Sequence, residues 1–363
     1  MKPRALRYLD WVLVASTLCL IIGGAVILYS ATRTFPHPWA FIRIRALHAL
    51  AGTLLLVVFA AVDYRALARA WRPLLLVTVL LLAGVDVLGR TAQGAQRWIP
   101  LGPFSFQPSE LAKLLLIITL AKHLDGHREI TSWRQIVPLL LHAGIPILLI
   151  VQQPDLGTAM VLMAIFTAML FAGGAPLRAI AGLGAAAAAA APLLWQMLHD
   201  YQRKRLIAFI DPGVDPQGAG YALIQSKIAV GSGQLFGKGL LQGTQNLLHF
   251  IPEQHTDFIF TVVGEELGFA GAVVMLTFFA LWLWRAGTIA AQAKDRLGML
   301  MAVGIVTMIA FHLFVNVGMT VGLMPITGIP LPFISHGGSA LVVMLAATGL
   351  LINIGIRRKK ILF

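Results

Sequence analysis

About ten apolar stretches, most of membrane-spanning length, recur along the 363 residues, and nothing else restricts the fold as sharply. They fall at residues 11–30, 44–62, 73–89, 108–123, 136–152, 158–174, 178–198, 258–284, 297–316 and 338–356, the third and sixth being short. Roughly 20 apolar residues in a helix cross the ~30 Å hydrocarbon core of a bilayer. Within lipid every backbone N–H and C=O must find a partner inside the protein, which leaves the helix and the closed barrel. Barrel strands alternate weakly in polarity, whereas these stretches are continuously apolar. The expectation is therefore an all-α, polytopic membrane protein of about ten transmembrane helices, with residues 1–363 forming one integral membrane domain. A composition of 58% hydrophobic and 12% charged residues agrees. The first stretch runs to full spanning length with no small-residue cleavage site behind a short apolar core, so it is expected to remain as a helix and not to be removed as a signal peptide.

The basic residues orient the bundle. Counted from the N-terminus, 17 of the 28 lysines and arginines fall on one side: Lys2, Arg4, Arg7, Arg65, Arg69, Arg72, Lys122, Arg128, Arg134, Arg178, Arg285, Lys294, Arg296, Arg357, Arg358, Lys359 and Lys360. Ten fall on the other, and Lys113 lies within a span. The positive-inside rule then places both termini in the cytoplasm. Anionic headgroups account for the net charge of +13, so no nucleic acid partner is needed. Cys19 is the only cysteine, which excludes an intrachain disulfide and a cysteine-rich metal site. On this topology the polar material gathers outside the cell membrane: a loop of about 199–257 and smaller segments at 89–107, 152–158 and 318–338. The Ala185–Ala191 run suits a tightly packed transmembrane helix.

Carboxylates near membrane depth are costly and usually face a cavity or pathway. Three occur within ten positions, Asp257 at the end of Pro252-Glu253-Gln254-His255-Thr256-Asp257 and Glu265 with Glu266 just inside the following span. Asp257 could take a proton from a sugar hydroxyl, hold a divalent cation, or cap the next helix. One of Glu265 and Glu266 is expected either to face the same cavity or to pair with a buried base. In Gln107-Pro108-Ser109-Glu110-Leu111-Ala112-Lys113, proline at a helix start puts Glu110 and Lys113 on one face. They could form a structural ion pair, or Lys113 could line a polar cavity and meet an anionic headgroup. Asp155, in a tight link between two spans, reads as a helix cap, an auxiliary carboxylate or a metal ligand.

In the long outer loop, Arg203 and Arg205 break the positive-inside trend, which suggests an anionic partner. Residues 222–230 have helical periodicity with Gln225, Ser226 and Lys227 as the polar face, too short to span and suited to the interface. The glycine-rich run 231–239, with Lys238, could cradle phosphate through its amides, though it lacks the strand and the following Ser/Thr of a Walker loop. Residues 322–339, with three prolines, cannot be regular helix and are expected to wall the site. His312 and Asn316, one turn apart, suit a helix-to-helix hydrogen bond.

Gln107-Pro108-Ser109-Glu110, Gln153-Pro154-Asp155-Leu156-Gly157-Thr158, Gln225-Ser226, Gly231-Ser232-Gly233, Gly237-Lys238-Gly239, Pro252 to Phe258, Gly264-Glu265-Glu266-Leu267-Gly268 and Pro330-Leu331-Pro332-Phe333 follow one another in the order and spacing of the SEDS (shape, elongation, division and sporulation) family. The chain resembles that family along essentially its whole length, and its RodA-like elongation branch in having two short tails. The resemblance implies an inner-membrane glycosyltransferase of ten helices that polymerises lipid II into glycan strands on the outer face, with inversion and release of polyprenyl pyrophosphate. It places the family's essential aspartate at Asp257, as general base. Lys113, Arg203, Arg205, Lys227 and Lys238 are then candidates to steady the pyrophosphate, alone or with Mg2+ or Mn2+, and no nucleotide is required. Gln225, Ser226, His255, Thr256 and Ser335 complete the substrate-binding candidates, with Glu110, Asp155, Glu265 and Glu266 in support. Implied partners are lipid II and the growing glycan strand, membrane lipid, a class B penicillin-binding protein and other elongation-complex proteins. Two departures stand out: His336 replaces a commonly aromatic residue, and Gln96 in Gln93-Gly94-Ala95-Gln96-Arg97-Trp98 replaces an arginine.

Other classes fit less well. A transporter or lipid II flippase would place its polar groups near the bilayer midplane with access from both sides. A scaffold that only docks a transpeptidase would not need the acids around Asp257. A polyprenyl-sugar transferase with its acid in the first outer loop is disfavoured, because residues 31–45 contain no Asp or Glu.

Overall fold

The computed structural model describes residues 8–92, 95–101, 104–127, 130 and 132–358. Lys2, Arg4, Arg7, Arg128, Lys359 and Lys360 of the charge count, and Gln93 and Gly94 of the arginine-poor motif, lie outside the described residues.

Every apolar stretch forms a helix: α1 Trp11–Thr32, α2 Pro38–Ala61, α4 Trp71–Leu88, α5 Pro108–Asp125, α6 Trp133–Gln152, α7 Leu156–Ala172, α8 Leu177–Met197, α12 Ile259–Ala291, α13 Arg296–Thr320 and α14 Gly338–Arg357. Among the described residues, seven of these are long and apolar enough to cross a membrane; α4 and α7 are shorter, and α5 carries charges at both ends. Between them lie α3 Tyr64–Arg69, α9 Asp200–Ile210, α10 Ala219–Ser232 and α11 Thr244–Leu247. The all-α expectation holds, with one addition that the sequence reading lacked. Residues 90–106 form a small antiparallel sheet of β1 Arg90–Ala92, β2 Ala95–Leu101 and β3 Phe104–Phe106, in the order β1-β2-β3.

Helix ends follow local chemistry. Asp10 caps α1 through the amide of Leu13, Asp155 caps α7 through that of Thr158, and Asp295 caps α13 through that of Gly298. Pro108 opens α5 at its first turn, where its missing N–H costs nothing. Pro38 does the same for α2, which therefore begins six residues before the apolar stretch that announced it.

α14 forms the centre of the bundle, buried over nearly its whole length, with α5 and α13 beside it. It lies so close to α2 that a Cβ on Gly349 would meet Leu56 O at 2.2 Å. Small residues permit such approaches where lipid supplies no hydrophobic drive for association. α8 is the most exposed of the apolar helices, and its Ala185–Ala191 run faces outward, contrary to the tight packing expected of it.

The long helix α12 is broken at Gly268 (φ 64°). An unpaired backbone group in lipid would cost several kcal/mol, roughly, so the groups freed there need partners. The glycine-rich run supplies them. Lys238 N and Gly239 N donate to Glu265 O and Glu266 O, both at 3.0 Å, while Phe269 N and Ala270 N donate to Gln234 O and Leu235 O at 2.8 and 2.9 Å. A Cβ on Gly233 would lie 1.9 Å from Gly264 O, and one on Gly237 would lie 2.2 Å from Glu266 O. The glycines thus serve backbone contact with α12, and the amides expected to cradle phosphate are occupied by it.

Candidate active site

Asp257 ends the long loop at the start of α12. It does not cap that helix, whose first residue is preceded by Phe258 with no side-chain cap. Three hydrogen bonds hold its backbone and that of the two residues before it. Asn316 Nδ2, from α13, donates to Asp257 O and to Ile329 O, both at 2.8 Å. Ser335 Oγ donates to Thr256 O at 2.6 Å, and His336 N donates to His255 O at 3.0 Å. The proline-broken segment therefore walls the site as expected, and is zipped to the strand of chain that carries Asp257. Among the described residues no hydrogen bond engages the Asp257 carboxylate. Burial pushes it up to about 6; Arg205 and Arg97 pull it down, while Glu253 and Asp155 push it further up.

A cleft opens beside it, lined by Arg97, Pro154, Tyr201, Gln202, Arg205 and Thr327 among others. Helical spacing explains which loop residues reach it. On α9, Tyr201 and Arg205 are one turn apart and share a face, with the guanidinium 5.7 Å from the phenol ring. Arg203 points the other way, bonding the carbonyls of Trp195 and Gln196 at the end of α8 at 3.1 and 2.7 Å. It closes a helix and is not part of the cleft.

Arg97 was not among the expected cations. It sits on β2, and the sheet carries it across the mouth of the cleft to Gln153 O (3.1 Å), the hydroxyl of Tyr201 (2.9 Å) and the carbonyl of Pro154, with Asp155 at 3.8 Å. Asp155 is both a helix cap and a neighbour of this cation, bonded also to Gln107 Nε2 at 3.3 Å. No signal short of the tertiary fold brings Arg97 and Arg205 together.

Gly328 lies close to both Arg205 and Asp257. A Cβ built there would lie 3.3 Å from both Arg205 Nη1 and Asp257 Oδ2, and its φ of 74° favours glycine. Gly328→Ala should cost about 1–2 kcal/mol of stability from the left-handed backbone and place a methyl between cation and carboxylate. Activity measured beside thermal unfolding checks this: a larger loss in turnover than the stability change explains is the expected result.

The other expected residues are elsewhere. Lys113 is fully buried within the membrane region, bonded to Glu110 Oε1 at 2.7 Å and His312 Nε2 at 2.9 Å, and does not line an open cavity. His312 also bonds Pro330 O at 3.1 Å, so this cluster braces the broken segment from below. Lys238 pairs with Glu265 at 2.7 Å, and Glu266 bonds Ser30 in α1, so neither acid faces Asp257. Ser226 is buried and donates to Thr320 O at 2.6 Å. Gln225 is half-buried beside it on α10, and exposed Lys227 lies over Gly322. His255 packs edge-on against Phe35 and Phe41, near His336, and Thr256 bonds Glu253. Among the described residues no group of three or more His, Cys, Asp or Glu side chains is arranged to hold a metal.

The chain matches the family model FtsW/RodA/SpoVE, described as cell cycle protein, over residues 7–360. It belongs to this family. It is similar to the peptidoglycan glycosyltransferase MrdB of Escherichia coli K12, at 39% identity over 354 residues, covering 97% of this chain and 95% of the relative. It is also similar to the stage V sporulation protein E of Bacillus subtilis, at 39% identity over 355 residues, covering 95% and 96%. Among solved structures, a chain of a peptidoglycan synthase complex that coordinates polymerization and crosslinking superposes with a TM-score of 0.85 at 33% identity, covering 97% of this chain and 99% of that one. The rod shape determining protein RodA of Thermus thermophilus gives a TM-score of 0.73 at 32% identity, covering 97% and 98%. Family and apolar helices together make this a membrane protein.

Proposed function

We propose that this chain, a peptidoglycan glycosyltransferase of cell-wall synthesis, polymerises lipid II at the Asp257 cleft, on the outer face of the cytoplasmic membrane and during cell elongation. The observation that carries this reading is an unengaged carboxylate raised to about 6, with Arg205 and Arg97 as its positive neighbours and both arginines lining one cleft. A carboxylate with a pKa near neutrality is suited to take a proton from the acceptor sugar's 4-hydroxyl as that oxygen attacks the anomeric carbon. Attack from the face opposite the leaving group gives inversion. Arg97 and Arg205 are placed to meet the pyrophosphate that departs, since planar guanidinium groups bind phosphate oxygens in pairs. Both are already pinned, Arg97 by Pro154 and Tyr201 and Arg205 by the Tyr201 ring, so little reorganisation is needed when charge develops.

In the metal-assisted form of this reading Asp257 would instead hold a divalent cation, Mg2+ or Mn2+, which would supply positive charge for the pyrophosphate that departs. Both termini face the cytoplasm in this reading. Tyr8 starts and Arg358 ends at the bundle end that holds the Arg65–Asp295 and Arg357–Asp63 pairs, opposite the cleft. A class B penicillin-binding protein is the expected partner, in keeping with the synthase complex whose chain this one resembles.

The test is polymer synthesis from purified lipid II across pH, with and without chelator. Because the base must be ionised, kcat/KM should rise through an acid limb near pH 6 and level above it. Removing either positive neighbour, as in Arg205→Ala or Arg97→Ala, should move that limb to higher pH. A limb unmoved by both variants would remove Asp257 from the reaction.

A further inference from the structure

Beneath the loop at 241–254, three buried side-chain oxygens have no donor among the described residues: Gln245 Oε1, Asn246 Oδ1 and Gln254 Oε1. Asn246 and Gln254 are each only 2% exposed. Their nitrogens are already committed. Asn246 Nδ2 donates to Ser30 O at 3.1 Å and Glu266 Oε1 at 3.2 Å, and Gln254 Nε2 donates to Ala31 O at 3.2 Å and Asn246 O at 3.1 Å. Turning either amide over would only set its oxygen against those same acceptors.

Charge is unbalanced at the same place. Glu265 and Glu266 are buried, and a Cβ on Gly243 would lie 2.8 Å from Glu265 Oε2 and 3.0 Å from Glu266 Oε1, so both carboxylates border one point. Lys238 pairs with Glu265. Among the described residues Glu266 has only neutral donors: the Ser30 hydroxyl at 2.6 Å, Leu241 N at 3.0 Å and Asn246 Nδ2. The carbonyls of Ser30 and Ala31 belong to the last turn of α1, the negative pole of that helix, which carries no basic residue. Arg33, just beyond it, forms no ion pair with either glutamate among the described residues.

We propose that this cluster is a structural site for a hard, oxygen-seeking cation of the calcium class, held by Glu266 with the side-chain carbonyls of Asn246 and Gln254, and with Gln245 beside them. Calcium accepts carboxylate, amide and main-chain carbonyl oxygens in irregular arrangements, which is the donor set present; magnesium demands a stricter octahedron and retains its waters. A proton shared between the glutamates would cancel charge but leave the carbonyl oxygens without partners. Water would satisfy the oxygens but leave the charge. A cation answers both. Bound there, it would tie the end of α1 to α12 and to the chain that leads into Asp257. The site does not depend on the polymerase reading, because it shares no residue with the Asp257 cleft.

The test uses the full-length protein in detergent micelles, stripped with EGTA and titrated with CaCl2 by calorimetry, with thermal unfolding alongside. Expected are one saturable Ca2+ per chain, a raised unfolding temperature, and weaker binding of Mg2+. Glu266→Gln and Gln254→Met should each weaken binding by about 10–100-fold, whereas Asp257→Asn should retain it. Should Glu266→Gln fail to fold, Gln254→Met decides alone. Absence of saturable Ca2+ binding to the wild type, unchanged affinity in the cluster variants, or loss of binding in Asp257→Asn would each overturn the site.

Discussion

Asp257→Asn is expected to abolish glycan polymerisation from lipid II, losing at least the ~10²–10⁴-fold that a positioned general base contributes. The protein should remain folded and inserted, for two structural reasons. The carboxylate makes no hydrogen bond among the described residues, so an isosteric amide breaks none, while the backbone contacts from Asn316 and Ser335 are untouched. Its ionised form is also disfavoured by burial. The folded pKa, about 6, lies above the ordinary aspartate value, so the folded state binds this proton more tightly than the unfolded chain does. The penalty is absent below about pH 4, grows as pH rises towards 6, and is fully present above it. At neutral pH the asparagine variant should therefore unfold no earlier than wild type. Normal unfolding with no polymer is the expected pair of results; wild-type rates in the variant would rule out the base role.

Lys113→Met should act the other way, with its largest effect on stability. Lys113, Glu110 and His312 are buried together, and Glu110 Oε2 already lacks a partner among the described residues. Removing the lysine leaves an uncompensated carboxylate in the bundle, a change that costs about 3–5 kcal/mol. His312 would lose its contact as well, and with it part of the brace under Pro330. The double variant Glu110→Gln with Lys113→Met should recover much of the loss, because it removes the stranded charge. Thermal unfolding of the single and double variants checks this. Were Lys113 mainly a ligand for pyrophosphate, the single variant would unfold normally and show its defect in KM instead.

These two residues show how unevenly the site could be read beforehand. Asp257 stands out in the sequence as a candidate because a carboxylate at the mouth of an apolar span has few structural uses. The partner of Lys113 was half legible: spacing on one helix face gives Glu110, but His312 comes from a helix far along the chain. Lys238 and the glycines around it suggested a phosphate cradle, since glycine-rich backbone looks alike whether its amides face a ligand or another segment of chain. The break at Gly268, which consumes those amides, is set by packing between two distant segments.

The sequence by itself determined where the apolar helices lie, their approximate limits and the cap at Asp155. Lipid forbids unpaired backbone, so an apolar run of spanning length has one conformation open to it, and capping is decided by residues a few positions apart. The tertiary structure alone decided which charges meet. Arg97 reaches the cleft because a small sheet carries it there, Arg205 because α9 turns that face inward, and Arg203, two residues away, is turned out. A cation's place depends on the direction of its side chain in the assembled bundle, and neither composition nor spacing encodes that direction across loops.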